Sequence, residues 1–372
     1  MNGLRFFAAI AVVITHIELI KHQSGFSDIW KNNKLIFELG SLGVIFFFVL
    51  SGFLITYLLL QEKKVTQTIA VKKFYLRRIL RIWPLYYFIV LLGFLVLPHW
   101  HFMDNPYLNR FLDTNFAPNF ALYLLFLPNL AFSIYAAVPH IGQTWSIGVE
   151  EQFYLLWPLI VKYAKNILKA LVVVIGILVT LKIIVLVLCK QMPDNSLLKV
   201  IKPFLAMTKM ESMAIGGIGA YYLFNRNPKI KLLFNNVLLI ASILVIVFLV
   251  YFTPQIIQDG MYLVYSVLFL VIILNVSSNP RCIFKLENKL YKTLGNISYG
   301  IYMYHLIVIA MVFGLLKKTG FVINDGFVSQ LVVYSLTIVF TVIISWLSYS
   351  YFEKWFLKLK HKFTIIKSGS NI

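Results

Sequence analysis

Residues 3–16 read GLRFFAAIAVVITH, an apolar run that opens with Arg5 and closes with His16. Imidazole titrates near neutrality, so it suits general-base work on a hydroxyl. Guanidinium is a fork of donors matched to phosphate or carboxylate. On a helix, eleven positions turn about 20° past three full turns and rise about 16 Å, so both side chains leave one face at different depths. A snorkelling topology anchor would also look like Arg5, and a hydrogen-bonded core histidine would also look like His16.

A second group is GQTWSIGVEEQFYLLWPLI, residues 142–160, where Glu150 and Glu151 enter an apolar run five residues after Trp145 and its neighbours. Ionisable groups at membrane depth mark functional sites by default. Adjacent helical positions point about 100° apart, so one of the two carboxylates is expected to face the interior. At the depth of His16, that carboxylate would orient the imidazole and stabilise its protonated form. An ion pair with a buried base such as Lys209 is the structural alternative. A third stretch, KKFYLRRILRIWPLYY at 72–87, carries Arg77, Arg78 and Arg81. Arg78 and Arg81, at i and i+3, share a helical face and could clamp a polyphosphate; an anchor helix in the headgroup layer is the other reading. TKMESMAIGG (208–217) sets Lys209 and Glu211 before Gly216, Gly217 and Gly219, small residues that permit close helix packing. ISYGIYMYHLIV (297–308) puts His305 mid-run behind a tyrosine ladder that includes Tyr304.

Other chemistries find no footing. His99 and His101 lie at i, i+2 without a paired cysteine, and HExxH is absent, so no metal site is expected. No Walker A loop, GxGxxG or GxSxG elbow occurs, which argues against an ATP-driven pump, a dehydrogenase and an α/β-hydrolase. Cys189 and Cys282 fall in different loops and predict no disulfide framework.

The elements that must position these groups follow from composition. The 372 residues are 60% hydrophobic and 13% charged, with a mean hydropathy of +0.82. Soluble domains carry about 25% charged residues. Apolar runs at about 4–20, 39–60, 82–97, 145–161, 168–188, 207–224, 237–252, 261–277, 295–316 and 327–352 predict an all-α polytopic membrane bundle of about ten spans. A further run, 119–134, is interrupted at Pro128 and Asn129 and is expected to be re-entrant or interfacial. The first run lacks a small-residue cleavage site and reads as retained. With both termini cytoplasmic, the inside loops hold 22 of the 34 lysines and arginines against 9 outside, as the positive-inside rule requires. The net charge of +20 is thereby spent on topology and anionic lipid heads, and no nucleic-acid face is indicated. The expected organisation is one transmembrane domain, 1–353, and a basic cytoplasmic tail, 354–372.

Six stretches, in this order, resemble the acyltransferase-3 family of bacterial membrane enzymes that O-acylate surface sugars. Arg5, ten residues and His16 match its first span. FFFVLSGFLIT, with Ser51, resembles its SGFL element, and RRILRIWP its basic RRxxRIxP stretch. TWSIGVEEQFYLLWP is similar to its most recognisable motif, and ISYGIYMYHLIV and SYSYFEKWFLKL to its last two spans. Where the family shows Arg-x-Asp, this chain has Lys209 and Glu211, which keep the charge signs and lose the bidentate fork. The resemblance implies a protein of the inner or plasma membrane. It implies acyl-CoA, acetyl-CoA first, as a donor substrate from the cytoplasm rather than a tightly bound cofactor. It implies a glycan or glycolipid hydroxyl as acceptor; homo-oligomers are compatible with it. Arg5, Arg77, Arg78, Arg81 and Ser51 are then expected to bind the donor, His16 with Glu150 or Glu151 to act in catalysis, and Trp145, Lys209, Glu211, Tyr304 and His305 to line the substrate site. His16 would deprotonate the acceptor, or carry the acyl group itself as a relay. These residues include no fused hydrolase-like domain, as in the family's stand-alone branch. The rival from another class is a proton-coupled exporter using the buried His and Glu, for which inverted repeats would be expected.

Overall fold

The computed structural model describes residues 1–30, 33–100, 112–254, 260–286, 288–324 and 326–363. Among them there are helices and no strands. In chain order the helices are α1 (Asn2–Gln23), α2 (Lys34–Thr66), α3 (Val71–Leu91), α4 (Leu112–Leu124), α5 (Pro128–Tyr135), α6 (Thr144–Tyr163) and α7 (Ile167–Gln191). There follow α8 (Ser196–Met207), α9 (Met210–Phe224), α10 (Asn236–Phe252), α11 (Tyr262–Ser278), α12 (Lys289–Lys318), α13 (Phe327–Ser348) and α14 (Lys354–Lys360). Six helical runs are long and apolar enough to cross a membrane: α1, α2, α3 with its continuation to His99, α7, α12, and α13 continued through α14. The other four expected spans are shorter or more polar: α6 has 20 residues, α9 has 15, and α10 and α11 have 17 each.

Asparagine starts much of this helix content. Asn33, Asn166, Asn195, Asn235 and Asn288 cap α2, α7, α8, α10 and α12, each side chain accepting a first-turn amide. Such caps contribute about 1 kcal/mol apiece. Asn195→Ala removes the acceptor for Leu197 N and Leu198 N, now at 3.0 and 3.1 Å. The expected result is a loss of about 1 kcal/mol in a detergent melt, restored by Asn195→Asp.

α1 lies between α2 and α12, and α2 makes the most extensive packing of the fold, against α9. That crossing runs over glycine: a Cβ on Gly216 would land on the Val49 carbonyl, and one on Gly52 on the Met213 carbonyl. α1 is further tied by Glu18, which accepts from Lys21 Nζ at 2.9 Å, the Tyr334 hydroxyl at 2.8 Å and the Ile29 amide at 2.8 Å. α7 turns Val172, Ile177, Leu181 and Ile184 outward, the pattern of a lipid-facing helix.

The helices revise two sequence expectations and sharpen two others. The basic stretch 72–81 belongs to the same helix as the apolar 82–91, which runs on through Pro84. The 119–134 run is interrupted as expected, into two helices, α4 and α5, parted where Phe126 takes φ 58° and Pro128 starts a new helix. Residues 196–207, read as loop, form α8, which packs on α5 and α7. One helical run crosses positions 353 and 354, where a π-helical turn at Tyr349–Glu353 carries α13 into α14. Residues 364–372 of the expected tail lie outside the described residues.

Candidate active site: an arginine-lined cavity beside a histidine pair

A cavity of about 1210 Å³ opens between α1, α2, α3, α6, α12 and the run from Tyr349 to Lys360. Six basic side chains line it (Arg5, Arg77, Arg78, Arg81, Lys292, Lys360) against three carboxylates, Glu62, Glu150 and Glu353. Glu62 is taken up by Arg77, whose Nη2 donates to it at 2.9 Å. Arg78 lies over the rings of Phe74 and Tyr154, at 5.8 and 5.5 Å, and its buried Nε has no acceptor. Arg5, Arg78 and Arg81 are close enough to feel one another's charge. Like charges gathered on one wall, with a donor left over, fit a polyanionic ligand. The i, i+3 spacing of Arg78 and Arg81 accordingly puts both on the cavity.

Deeper in, α2 and α6 contribute a hydrogen-bonded chain. The Ser51 hydroxyl meets that of Tyr154, which donates to Glu150 Oε1 at 3.0 Å. Across from it, Tyr302 of α12 contacts Ser146 Oγ at 2.7 Å and donates to the Gln143 carbonyl at 3.1 Å. Tyr299, Tyr302 and His305 recur every three residues and share one face of α12.

At that end stand His16 and His305. His305 is fully buried, and its Nδ1 faces the Tyr302 carbonyl at 2.7 Å. A carbonyl only accepts, so Nδ1 carries the proton and a neutral His305 presents a bare Nε2. His16 Nδ1 faces the Val12 carbonyl at 2.9 Å and His305 Nε2 at 3.2 Å, so it too must donate. Both neighbours demand the Nδ1–H tautomer. His16 Nε2 is left as an unprotonated lone pair, the form a general base needs. α1 is continuous from Asn2 to Gln23, so His16 lies about 16 Å along the axis from Arg5.

The site residues expected from sequence divide accordingly. Arg5, Ser51, Arg77, Arg78, Arg81 and Glu150 line the cavity, and His16 and His305 adjoin it through Tyr302, whose ring lies 5.7 Å from that of His305. A carboxylate was expected beside His16; the hydrogen-bond partner there is His305. Glu151, turned from Glu150 by the helical step, instead accepts from Trp83 Nε1 at 2.9 Å. Trp145 stands behind cavity-lining Phe48, edge-on at 6.2 Å. Tyr304 turns to α13 and donates to Ser348 Oγ at 3.0 Å. Lys209 and Glu211 lie away from the cavity. Glu211 pairs with Lys182 of α7 at 2.8 Å and accepts from Tyr262 at 3.0 Å, while Lys209 sits over the Tyr262 ring at 5.7 Å. Sequence reasoning missed Glu62, Lys292, Tyr299, Tyr302, Glu353 and Lys360; for the tyrosines the signal was present in their spacing to His305.

The peptidoglycan O-acetyltransferase OatA of Listeria monocytogenes is 27% identical over 334 residues, covering 86% of this chain and 50% of the relative. The O-acetyltransferase OatA of Staphylococcus aureus is 26% identical over 375 residues, covering 95% of this chain and 56% of the relative. The chain thus spans about half the length of the curated relatives it matches. No solved structure matches. The acyltransferase-domain family matches residues 1–350, which takes in the arginine cluster, the Ser51–Tyr154–Glu150 chain and both histidines. This helical membrane protein therefore belongs to the acyltransferase-3 family.

Proposed function

We propose that the chain moves an acyl group, acetyl first, from a CoA thioester to a hydroxyl of a cell-envelope glycan. The observations that carry this reading are a cavity with a phosphate-suited arginine wall and, next to its lining residue Tyr302, a histidine pair that leaves one base nitrogen bare. Its relatives named for O-acetylation, one of them of peptidoglycan, support the glycan acceptor and the acetyl group. By the positive-inside count, the arginine end faces the cytoplasm, the terminal helices start and finish there, and His16 lies toward the outer side of an inner or plasma membrane.

In the proposed reaction the donor's phosphates rest on Arg5, Arg78 and Arg81, and its pantetheine arm spans the interval to His16. The acceptor hydroxyl gives its proton to His16 Nε2 as its oxygen attacks the thioester carbonyl. The tetrahedral intermediate collapses with loss of the CoA thiolate, which recovers the proton from His16; ester and thiol are the products. The imidazolium is held meanwhile by Val12 and His305. His305 takes the orienting place that a carboxylate fills in other His-dependent transferases.

CoA should raise the melting temperature of the purified protein. Arg81→Gln should shrink that rise and increase donor KM about tenfold to a hundredfold, the loss of one charge-assisted contact. A proton-coupled exporter would show no stabilisation by CoA, and that result would favour it.

A further inference from the structure

The cavity wall beside the histidine pair carries more hydrogen-bond donors than its acceptors use. Ser146 of α6 and Tyr302 of α12 both line the cavity, both are buried, and their hydroxyls lie 2.7 Å apart. Three donors converge on one carbonyl there. The Gln143 oxygen has the Ser146 amide at 3.4 Å, Ser146 Oγ at 3.3 Å and the Tyr302 hydroxyl at 3.1 Å. A carbonyl oxygen offers two lone pairs. One hydroxyl proton is therefore in excess, and the other hydroxyl takes it. Turning that proton toward a ligand leaves the Gln143 carbonyl satisfied, so the turn exposes no bare acceptor. Two other lining tyrosines have no such freedom: Tyr154 donates to Glu150 Oε1 at 3.0 Å, and Tyr299 to the Ile82 carbonyl at 2.9 Å.

Position adds to this count. Tyr302 lies three residues before His305 on the same face of α12, and their rings are 5.7 Å apart. The His305 ring in turn lies 4.9 Å from that of His16. Phe47 of α2, also on the cavity, packs edge-on to the Tyr302 ring at 5.8 Å and fixes its direction. A surplus O–H in a buried wall next to a base is the arrangement that holds a carbonyl oxygen as it gains charge.

We propose that Tyr302 is a catalytic residue that donates a hydrogen bond to the carbonyl oxygen of the acyl donor, and that Ser146 is its positioning residue. The proposal rests on the reading of the cavity as the acyl donor's site and of His16 as the base. As the acceptor oxygen bonds to the carbonyl carbon, the C=O π pair moves to the carbonyl oxygen, which the Tyr302 O–H stabilises. The proton stays on Tyr302 throughout, while Ser146 turns its own proton to the Gln143 carbonyl. On collapse the electron pair re-forms the C=O bond, the carbon–sulfur bond breaks and the thiolate leaves.

The test uses the full chain in detergent, with CoA as melting probe, acetyl-CoA as donor and a soluble peptidoglycan fragment as acceptor. Tyr302→Phe keeps the ring contacts with Phe47 and His305, so CoA stabilisation and donor KM should hold while kcat falls about 10²–10³-fold. Ser146→Ala, which leaves the Gln143 carbonyl to compete for the Tyr302 proton, should cost about tenfold in kcat. Tyr86→Phe is the control: it removes a buried hydroxyl from the Tyr123 carbonyl at 2.7 Å and should keep kcat. Infrared spectra of carbonyl-labelled acetyl-CoA read the contact directly and need no acceptor. The bound C=O stretch should lie below its free value in wild type and move back toward it in Tyr302→Phe. A stretch that is the same in both proteins, or Tyr302→Phe at wild-type kcat, overturns the role of Tyr302 and leaves the donor reading standing. A wild type that CoA does not stabilise overturns both.

Discussion

Replacing His16 by alanine is expected to cut acyl transfer about 10³-fold while leaving stabilisation by CoA intact. The two readouts separate because Arg5 and His16, the groups proposed to perform them, are about 16 Å apart on one helix. In the proposed reaction Arg5 and the α3 arginines hold donor charge at one end, and His16 Nε2 meets the hydroxyl at the other. His305 refines the expectation. Its Nδ1 proton is fixed by the Tyr302 carbonyl, so its Nε2 can only accept from His16. Leucine at 305 would leave His16 Nδ1 held by Val12 alone and free the ring to swing; a loss of about 10²-fold in kcat at unchanged donor KM is expected. Glutamine, whose carbonyl reaches the same position, should recover much of that loss. Rescue by glutamine is what distinguishes orientation from bulk packing. Transfer at wild-type rate by His16→Ala would remove both the base and the acyl-relay versions of the mechanism. Loss of CoA stabilisation in that variant would instead make His16 a structural residue.

The sequence carried those parts of the site that lie within one helix. The Arg5–His16 face needed only the helical period, and α1 is unbroken across it. The same period required Glu150 and Glu151 to part company, and they do. Which of them faces the cavity depends on Trp83, 68 residues away, and no local pattern states that. The histidine pair spans 289 residues, so its two halves are visible in the sequence and their meeting is not. A carboxylate beside His16 was the natural expectation from charge; a second imidazole meets the same hydrogen-bond demand without an added charge in an apolar interior. Charge misled once more. Lysines 199 and 202 made α8 look like loop, although Asn195 capped a twelve-residue helix. Lysine density marked 354–372 as a basic tail, and no local pattern told that Leu357 and Lys360 within it line the cavity. Gly216 was legible as a packing residue, but its partner Gly52 sat unremarked inside a motif valued for Ser51.

That pair of glycines supports the largest expected change in stability. A methyl on Gly216 would fall on the Val49 carbonyl, with the Phe53 amide nitrogen 2.8 Å away, and one on Gly52 would fall on the Met213 carbonyl. Both obstacles are backbone, so no side chain can rotate aside, and α2 and α9 must separate. Overpacking a tight core costs about 1–3 kcal/mol, and a backbone obstacle places Gly216→Ala at about 3 kcal/mol, read as a lowered melting temperature in detergent. The internal control is Gly176→Ala on α7, where an added Cβ meets nothing within 4 Å. It should be stabilising by about 0.5–1 kcal/mol through helix propensity. Because one separation relieves both clashes, Gly52→Ala and Gly216→Ala together should cost less than the sum of the two alone, with a coupling of about 1 kcal/mol or more. The separation also reaches the site: Ser51, next to Gly52, would be drawn from the Tyr154 hydroxyl that links it to Glu150. Gly216→Ala should therefore weaken CoA stabilisation although it touches no cavity residue. Gly216→Ala as stable as Gly176→Ala, or strictly additive glycine variants, would show that the two helices do not cross where these residues place them.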